Sequence, residues 1–170
     1  MENKVILVDF NDNKIGEEDK LQVHKDGLLH RAFSVFIFDG NKLLIQKRAD
    51  NKYHSAGLYA NTCCSHPRPT EELIDAAHRR LIEEAGICTD IKEVGSFIYY
   101  SKFDNGLSEY EYDHVFVGNY SGDYKCNYDE ASEMMFVEID YLLKDIKENP
   151  NKYCVWFFNA LNIALKGYSK

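Results

Sequence analysis

Ala32–Phe38 reads AFSVFIF, Lys42–Gln46 reads KLLIQ, and Asp39-Gly40 stands between them. Two apolar runs flanking a turn dipeptide are a strong hairpin signal, and no other feature of the chain narrows its fold so far. A sheet must be built around this pair. Val5–Phe10 is a further short apolar strand candidate, followed by a turn-rich Asn11–Gly16. Val94–Phe103 and Ser108–Asn119 read as strands around Asp104-Asn105-Gly106, and Met134–Ile139 as another. Helical spacing runs from Thr70, a cap candidate, to Ala85, with Glu71 and Glu72 in the first turn and Gly86 where a helix would stop. From Leu142 the tail reads as two helices, the second carrying Tyr153, Trp156, Phe157, Ala160 and Ala164 on one side. Strands dominate the middle and helices the flanks, which points to an α+β or layered α/β/α domain.

With 170 residues, 45% of them hydrophobic, residues 1–170 are expected to form one domain with a real core. The net charge of -8 repels polyanions at long range, which argues against nucleic acid or an anionic membrane as the main partner but leaves room for a local basic pocket. The N-terminal MENKVILVDFNDNK lacks the basic-then-apolar order of a secretion signal, and no apolar run approaches a bilayer span, so a cytoplasmic protein is expected. Five irregularly spaced cysteines do not make a disulfide framework and are read as thiols.

Three segments carry chemistry. In TEELIDAAHRRLIEEAG, Leu73, Ile74, Ala77, Leu81 and Ala85 form one apolar arc, with Glu84 inside it and Arg80 at its edge. An Arg80-Glu84 ion pair is the plain reading; Glu83 and Glu84 together before Ala-Gly-Ile also offer the hard oxygen ligands that suit Mg²⁺ on a phosphate. In SEYEYDHVF, a strand would place Glu109, Glu111 and Asp113 on one face and Tyr110, Tyr112 and His114 on the other. His24 and His30 in VHKDGLLH and His66 in CSHP could join those carboxylates around Zn²⁺ or Mn²⁺, with His24 and His30 converging through a loop. The third segment is NTCCSHP, Asn61–Pro67. Adjacent cysteines rarely address one ion and a vicinal disulfide is strained, which leaves one buried and one exposed thiol, or two packing thiols.

RRLIEEAGI resembles the second half of the Nudix box, G-x5-E-x7-R-E-U-x-E-E-x-G-U with U apolar. Glu71, Arg79, Leu81, Glu83, Glu84, Gly86 and Ile87 match, whereas Ser65 replaces the first Gly and Arg80 the first Glu of the R-E pair. From about Val5 to Trp156 the chain also resembles the type 1 isopentenyl diphosphate isomerases, a Nudix-fold family, most specifically through NTCCSHP. That resemblance implies a Nudix-type α/β/α sandwich with a mixed sheet and a 1,3-proton shift between isopentenyl and dimethylallyl diphosphate. It implies Cys64 and Glu111 as catalytic residues on opposite faces of the substrate, with Tyr99 and Trp156 as aromatics around the isoprenoid. His24, His30, His66, Glu109 and Glu111 would bind Mn²⁺ or Zn²⁺ (or Mg²⁺), and Glu84 the Mg²⁺ that accompanies the diphosphate. Lys20, Arg48, Lys52 and Arg80 would contact the diphosphate itself. The implied partner is this small molecule, handled by a monomer or weak dimer. His54, His78, His114, Cys63, Cys88, Cys126 and Cys154 are left as structural. Two rivals are a Nudix hydrolase of a nucleoside diphosphate derivative and a non-catalytic metal- or diphosphate-binding module.

Overall fold

The computed structural model describes residues 3–169. Along them run β1 (Lys4–Val8), β2 (Lys14–Asp19), α1 (Lys20–Asp26), β3 (His30–Asp39), β4 (Lys42–Arg48), β5 (Tyr59–Ala60) and β6 (Cys63–Ser65). These are followed by α2 (Leu73–Ala85), β7 (Ile91–Lys102), β8 (Ser108–Asn119), β9 (Ala131–Glu138), α3 (Ile139–Glu148) and α4 (Phe157–Tyr168), with a 3-10 turn at Pro150–Lys152 before α4.

The central hairpin forms with Asp39 opposite Lys42, so its two-residue loop is Gly40-Asn41. Gly40 takes φ 58, a left-handed conformation in which a side chain is strained. On one edge β3 runs parallel to β8 from His30↔Glu111 to Phe38↔Asn119. Its other edge is antiparallel and divided among three strands: β1 at His30, β6 at Phe33–Val35 and β4 at Phe38–Asp39. The sheet is therefore mixed, and β3 and β4 splay apart beyond their hairpin. Asn61 and Thr62 fill the gap. Thr62 Oγ1 accepts from Ile37 N at 2.9 Å and donates to Leu44 O at 2.7 Å, replacing ladder bonds the splayed strands cannot make to each other.

Alternation along β3 sends side chains to both faces. Val35 and Ile37 meet Ala76, Ala77, Leu81 and Ala85 of α2, while Phe36 and Phe38 meet the cluster of Phe157, Ala160, Leu161 and Ala164 on α4. Both faces of the sheet are thus covered, which gives the expected α/β/α sandwich.

Several boundaries differ from expectation. The helix begins at Leu73, not Thr70, because Glu71 is held outside it, accepting from Arg68 N at 2.9 Å and from the Arg79 guanidinium. Ile74 leaves the apolar arc and is 38% exposed, whereas Ala76 is buried. Tyr153 and Trp156 precede α4: Tyr153 bridges to Tyr59, and Trp156 is the N-cap. Lys14–Gly16, expected as turn, opens the edge strand β2, which carries the turn's chain back along β1.

Candidate active site

Three elements deliver the imidazoles. His24 lies in α1, capped by Asp19, whose carboxylate accepts from Leu21 N and Gln22 N. Gly27 ends that helix at φ 65 and turns the chain into β3, whose first residue is His30. His66 follows directly on β6. The His24 and His30 rings come within 5.0 Å, and those of His30 and His66 within 4.9 Å, centroid to centroid. The loop expected to bring His24 and His30 together does so.

Each ring is oriented from behind. His24 Nδ1 donates to Lys20 O at 2.6 Å and His30 Nδ1 to Leu28 O at 2.9 Å, which leaves both Nε2 lone pairs facing inward. Burial pushes His66 down to about 3 against the opposing hydrogen bond and charge of Glu111, so its ring is neutral. One ligand atom each from His24, His30, His66 and Glu111 lies within 4.8 Å of all the others. Neighbouring donors are separated by 3.2 Å for His30–His66, 3.0 Å for His66–Glu111, 3.5 Å for His30–Glu111 and 3.1 Å for His24–Glu109. With metal bonds of about 2.1 Å, adjacent ligands stand about 3.0 Å apart in an octahedron and about 3.4 Å in a tetrahedron. The donor set has the chemistry and the spacing of a divalent-metal site.

The carboxylates come from one face of β8, as the alternation required: Glu109, Glu111 and Asp113 are buried, and Tyr110 and Tyr112 less so. Burial works against the Glu111 carboxylate, yet hydrogen bonds with Glu109, His30 and His66 hold it well below the usual range. Asp113 goes the other way. Burial, with the charge of Glu111, raises it well above a normal carboxylate, and Ser34 Oγ donates to its Oδ2 at 2.8 Å. Tyr99 OH donates to Glu111 Oε2 at 2.8 Å, and burial followed by the charges of Glu111 and Glu109 keeps the phenol protonated. Tyr100 instead is 58% exposed and packs edge-on against Tyr110.

A cavity of about 280 Å³ opens beside this cluster. Glu111, Glu109, His66 and Tyr99 line it together with Cys64 and Trp156. Cys64 is placed by β6, opposite Ser34 of β3, and burial, opposed by Arg48, raises its thiol well above normal, so it holds its proton. Cys63, one residue earlier, is fully buried in the α2-side core. The doublet thus divides into one packing thiol and one at the cavity, and all five cysteines are free. Arg48 sits over the Trp156 ring at 5.6 Å, and Lys20, Lys52, Arg68, Arg79 and Arg80 complete a basic lining. Arg48 Nε is buried with no hydrogen-bond partner among the described residues.

The NUDIX domain model matches residues 28–157. Isopentenyl-diphosphate Delta-isomerase 1 of Aromatoleum aromaticum is 52% identical over 157 residues, covering 92% of this chain and 89% of that protein. Isopentenyl-diphosphate Delta-isomerase 2 of Photorhabdus laumondii is 49% identical over 163 residues, covering 95% and 92%. The chain belongs to the isopentenyl-diphosphate Delta-isomerase family of NUDIX-domain proteins. At the level of fold alone it is similar to the solved Deinococcus radiodurans protein DR0079, with TM-score 0.70, 18% identity and coverage of 86% and 90%. The MutT protein of Methanosarcina mazei superposes with TM-score 0.66 at 19% identity, covering 84% and 96%.

Within this NUDIX frame the box residues take distinct places. Arg79 braces the start of α2 through Glu71 at 2.5 Å. Arg80, at the departing box position, pairs with Glu84 at 2.5 Å, Glu83 at 2.9 Å and Glu130 at 3.1 Å while facing the cavity. Glu84 is 4% exposed and also accepts from Gln46 Nε2 at 3.0 Å; it stands behind Arg80, outside the cavity lining that Glu83 joins. His24 and His30 are likewise buried behind the lining. Every other residue expected at the site borders the cavity.

Two participants went unrecognised in the sequence. His54, left as structural, reaches Glu109 Oε1 with its Nε2 at 2.7 Å and lines the cavity. Asn61, the first residue of NTCCSHP, accepts from Trp156 Nε1 at 3.2 Å and so fixes the indole. The KYHS stretch beside Arg48 was a signal for the first; the second had none, since its partner is remote in the chain.

Proposed function

We propose that this enzyme interconverts isopentenyl and dimethylallyl diphosphate by a 1,3-proton shift, with Cys64 and Glu111 working on opposite faces of the substrate. The observation that carries the reading is that Cys64, Glu111, Tyr99 and Trp156, distant in the chain, border one small cavity that Lys20, Arg48, Lys52 and Arg80 also line. Protonating an unactivated alkene creates a tertiary cation, so the chain must supply an acid, a base, a shield from water and stabilisation of charge. Cys64 is held as a thiol and can donate a proton. Glu111 is held as a carboxylate, and Tyr99 OH, 2.8 Å from its Oε2, can relay one. The Trp156 ring face, anchored by Asn61, can stabilise the cation by about 2 kcal/mol when desolvated. Lys20, Arg48, Lys52 and Arg80 hold the diphosphate and so position the small hydrocarbon tail.

His24, His30, His66, Glu109 and Glu111 are the residues for one Mn²⁺ or Zn²⁺ (or Mg²⁺). A divalent ion there lowers the proton affinity of the carboxylates that ligate it. Glu84, whose Oε1 accepts from Arg80, is the residue that would hold a Mg²⁺ accompanying the diphosphate. The enzyme acts in this reading as a single domain, monomeric or weakly dimeric, in the cytoplasm. Among the described residues no helix is long and apolar enough to cross a membrane.

Turnover of isopentenyl diphosphate in deuterated water tests the proposal. Deuterium is expected in a methyl group of the dimethylallyl product, and Cys64→Ala and Glu111→Gln are each expected to abolish turnover with the circular dichroism spectrum unchanged. Full activity in Cys64→Ala sinks the mechanism, and release of phosphate in place of an isomer identifies a hydrolase.

A further inference from the structure

The loop between β4 and β5, residues 49–58, supplies Lys52, Tyr53 and His54 to the wall of the cavity. Its tip lies against the imidazole cluster. The Tyr53 ring meets His24 edge-on at 5.6 Å and has Lys20 Nζ 5.7 Å from its centroid, and the His54 ring stands 6.0 Å from His24 and 6.2 Å from Trp156. The neck of the loop is closed by its own backbone, Arg48 N to Leu58 O at 2.9 Å and Gly57 N to Arg48 O at 3.0 Å, which leaves the tip to be placed by what it touches. On its own side of the cavity the tip is held by Arg48, whose guanidinium donates to His54 O at 3.4 Å, and by Lys52 Nζ, which donates to Glu130 Oε2 at 2.5 Å. Ser55 within it takes φ 52, a left-handed conformation that an L side chain rarely adopts, so the backbone does not favour the closed tip by itself.

The tip also meets the turn Asp104-Asn105-Gly106 between β7 and β8. Asn105 Oδ1 accepts from Leu107 N at 3.1 Å, and its Nδ2 donates to Tyr53 O at 2.8 Å. The two bonds fix the orientation of the amide, because Leu107 N can only donate and Tyr53 O can only accept. Phe103, of the same turn, stacks on His54 at 5.2 Å and 12°. The Nδ2 bond adds nothing to the hairpin itself, which is closed by Phe103 N to Leu107 O at 2.8 Å and Gly106 N to Phe103 O at 3.2 Å. Its one effect is to join the turn to the loop.

We propose that Asn105 is a positioning residue for diphosphate binding: its Nδ2–H latches the tip of the β4–β5 loop closed and so presets Lys52 at the anion end of the cavity before the substrate arrives. The inference rests on the proposed function for the anion that Lys52 meets. Without the latch an incoming anion must order the tip itself, and its apparent dissociation constant rises as the closed fraction falls. Once bound, the anion holds Lys52 in place, so the chemical step is little changed.

Two variants separate the latch from the turn. Asn105→Asp keeps the acceptor for Leu107 N and loses the donor, whereas Asn105→Ser keeps a weaker acceptor, is too short to reach Tyr53 O and adds no charge. Hydrogen exchange of the full chain, read by mass spectrometry, is expected to quicken by about fivefold or more in peptides spanning residues 49–58 of both variants, with β3 and β8 unchanged. Calorimetry with inorganic pyrophosphate and Mg²⁺ should give a Kd raised by about fivefold in both, and KM for isopentenyl diphosphate should rise alike while kcat stays within about twofold. Parental exchange in the loop, faster exchange throughout the fold, a parental Kd, or a fall in kcat at parental KM overturns the latch. Weaker binding in Asn105→Asp alone also overturns it, since that is the added charge repelling the anion. A parent that binds pyrophosphate with this pattern yet forms no dimethylallyl product refutes the proposed reaction and leaves the latch standing. If the parent binds no pyrophosphate, the role of Asn105 falls with the anion site.

Discussion

Removing Asn61 should detach the indole of Trp156 and weaken the whole fold. The side chain is fully buried and uses both ends: Nδ2 donates to Cys63 O at 2.7 Å and Val35 O at 3.2 Å, and Oδ1 accepts from Trp156 Nε1 at 3.2 Å. Asn61→Ala deletes two donated bonds, at about 1 kcal/mol each, and leaves the indole N–H buried without a partner, at about 1–3 kcal/mol. The expected loss is about 3–5 kcal/mol, a large share of a typical domain's stability. Trp156 is the single tryptophan of the chain, so its fluorescence reports unfolding in urea and the state of the site at once. The variant should unfold at lower urea, and isomerase turnover should fall by about tenfold or more, since a displacement of about 1 Å can cost about 100-fold. Trp156→Phe, followed by circular dichroism, orphans only Asn61 Oδ1 and should lose about 1–3 kcal/mol. An Asn61→Ala variant within about 1 kcal/mol and twofold in turnover of the parent would refute the reasoning.

Two further outcomes follow from the titration of single groups. Burial keeps Cys64 a thiol while Cys88 is exposed, so iodoacetamide at about pH 8 should label Cys88 first and Cys64 at least about tenfold more slowly, as peptide mass mapping can show; equal rates would contradict a protonated Cys64. The Arg79 hydrogen bond lowers the pKa of Glu71, so its stabilising contribution is present above the ordinary carboxylate value and is lost as pH falls through the lowered one; the parent's melting temperature should drop further than that of Glu71→Gln between about pH 5 and pH 3, and parallel drops would deny the pair a role in anchoring α2.

The parts of the fold legible from sequence were those whose pattern is local. The hairpin at Asp39-Gly40, the bounds of β8 and the stop at Gly86 follow from turn chemistry and periodicity, and all three form. The short elements follow from distant partners. β6, only Cys63–Ser65, exists because the splay of β3 and β4 leaves an open edge, and β2 is a largely exposed strand whose one apolar residue, Ile15, makes no alternation to betray it. α1 has one buried apolar residue, Val23, so its seven residues give no helical stripe. The same division runs through the site. Glu109, Glu111 and Asp113 share a face by strand geometry alone, which sequence spacing shows. The approach of His54 to Glu109, and of Asn61 to Trp156, depends on where loops of different strands meet, which it does not.

Charge distribution reconciles an acidic chain with an anionic substrate. The net charge is -8, yet Lys20, Arg48, Lys52, Arg68, Arg79 and Arg80 all border one cavity of about 280 Å³. Outside it, the acidic surface repels polyanions over about 10 Å of screened solvent. Inside, the low-dielectric walls strengthen each contact to a small anion. Part of this basic wall is paired with carboxylates of the same cavity, Lys52 and Arg80 with Glu130 and Arg80 also with Glu83, whereas Glu109 and Glu111 are engaged by imidazoles and Tyr99. Lys20 is the telling case. Burial lowers its pKa while Glu109 and Glu111 oppose that shift, and its own backbone carbonyl orients His24, so one residue of α1 borders the cavity with its side chain and fixes an imidazole with its main chain. An anion seated beside Lys20 would oppose the effect of burial and favour its charged form.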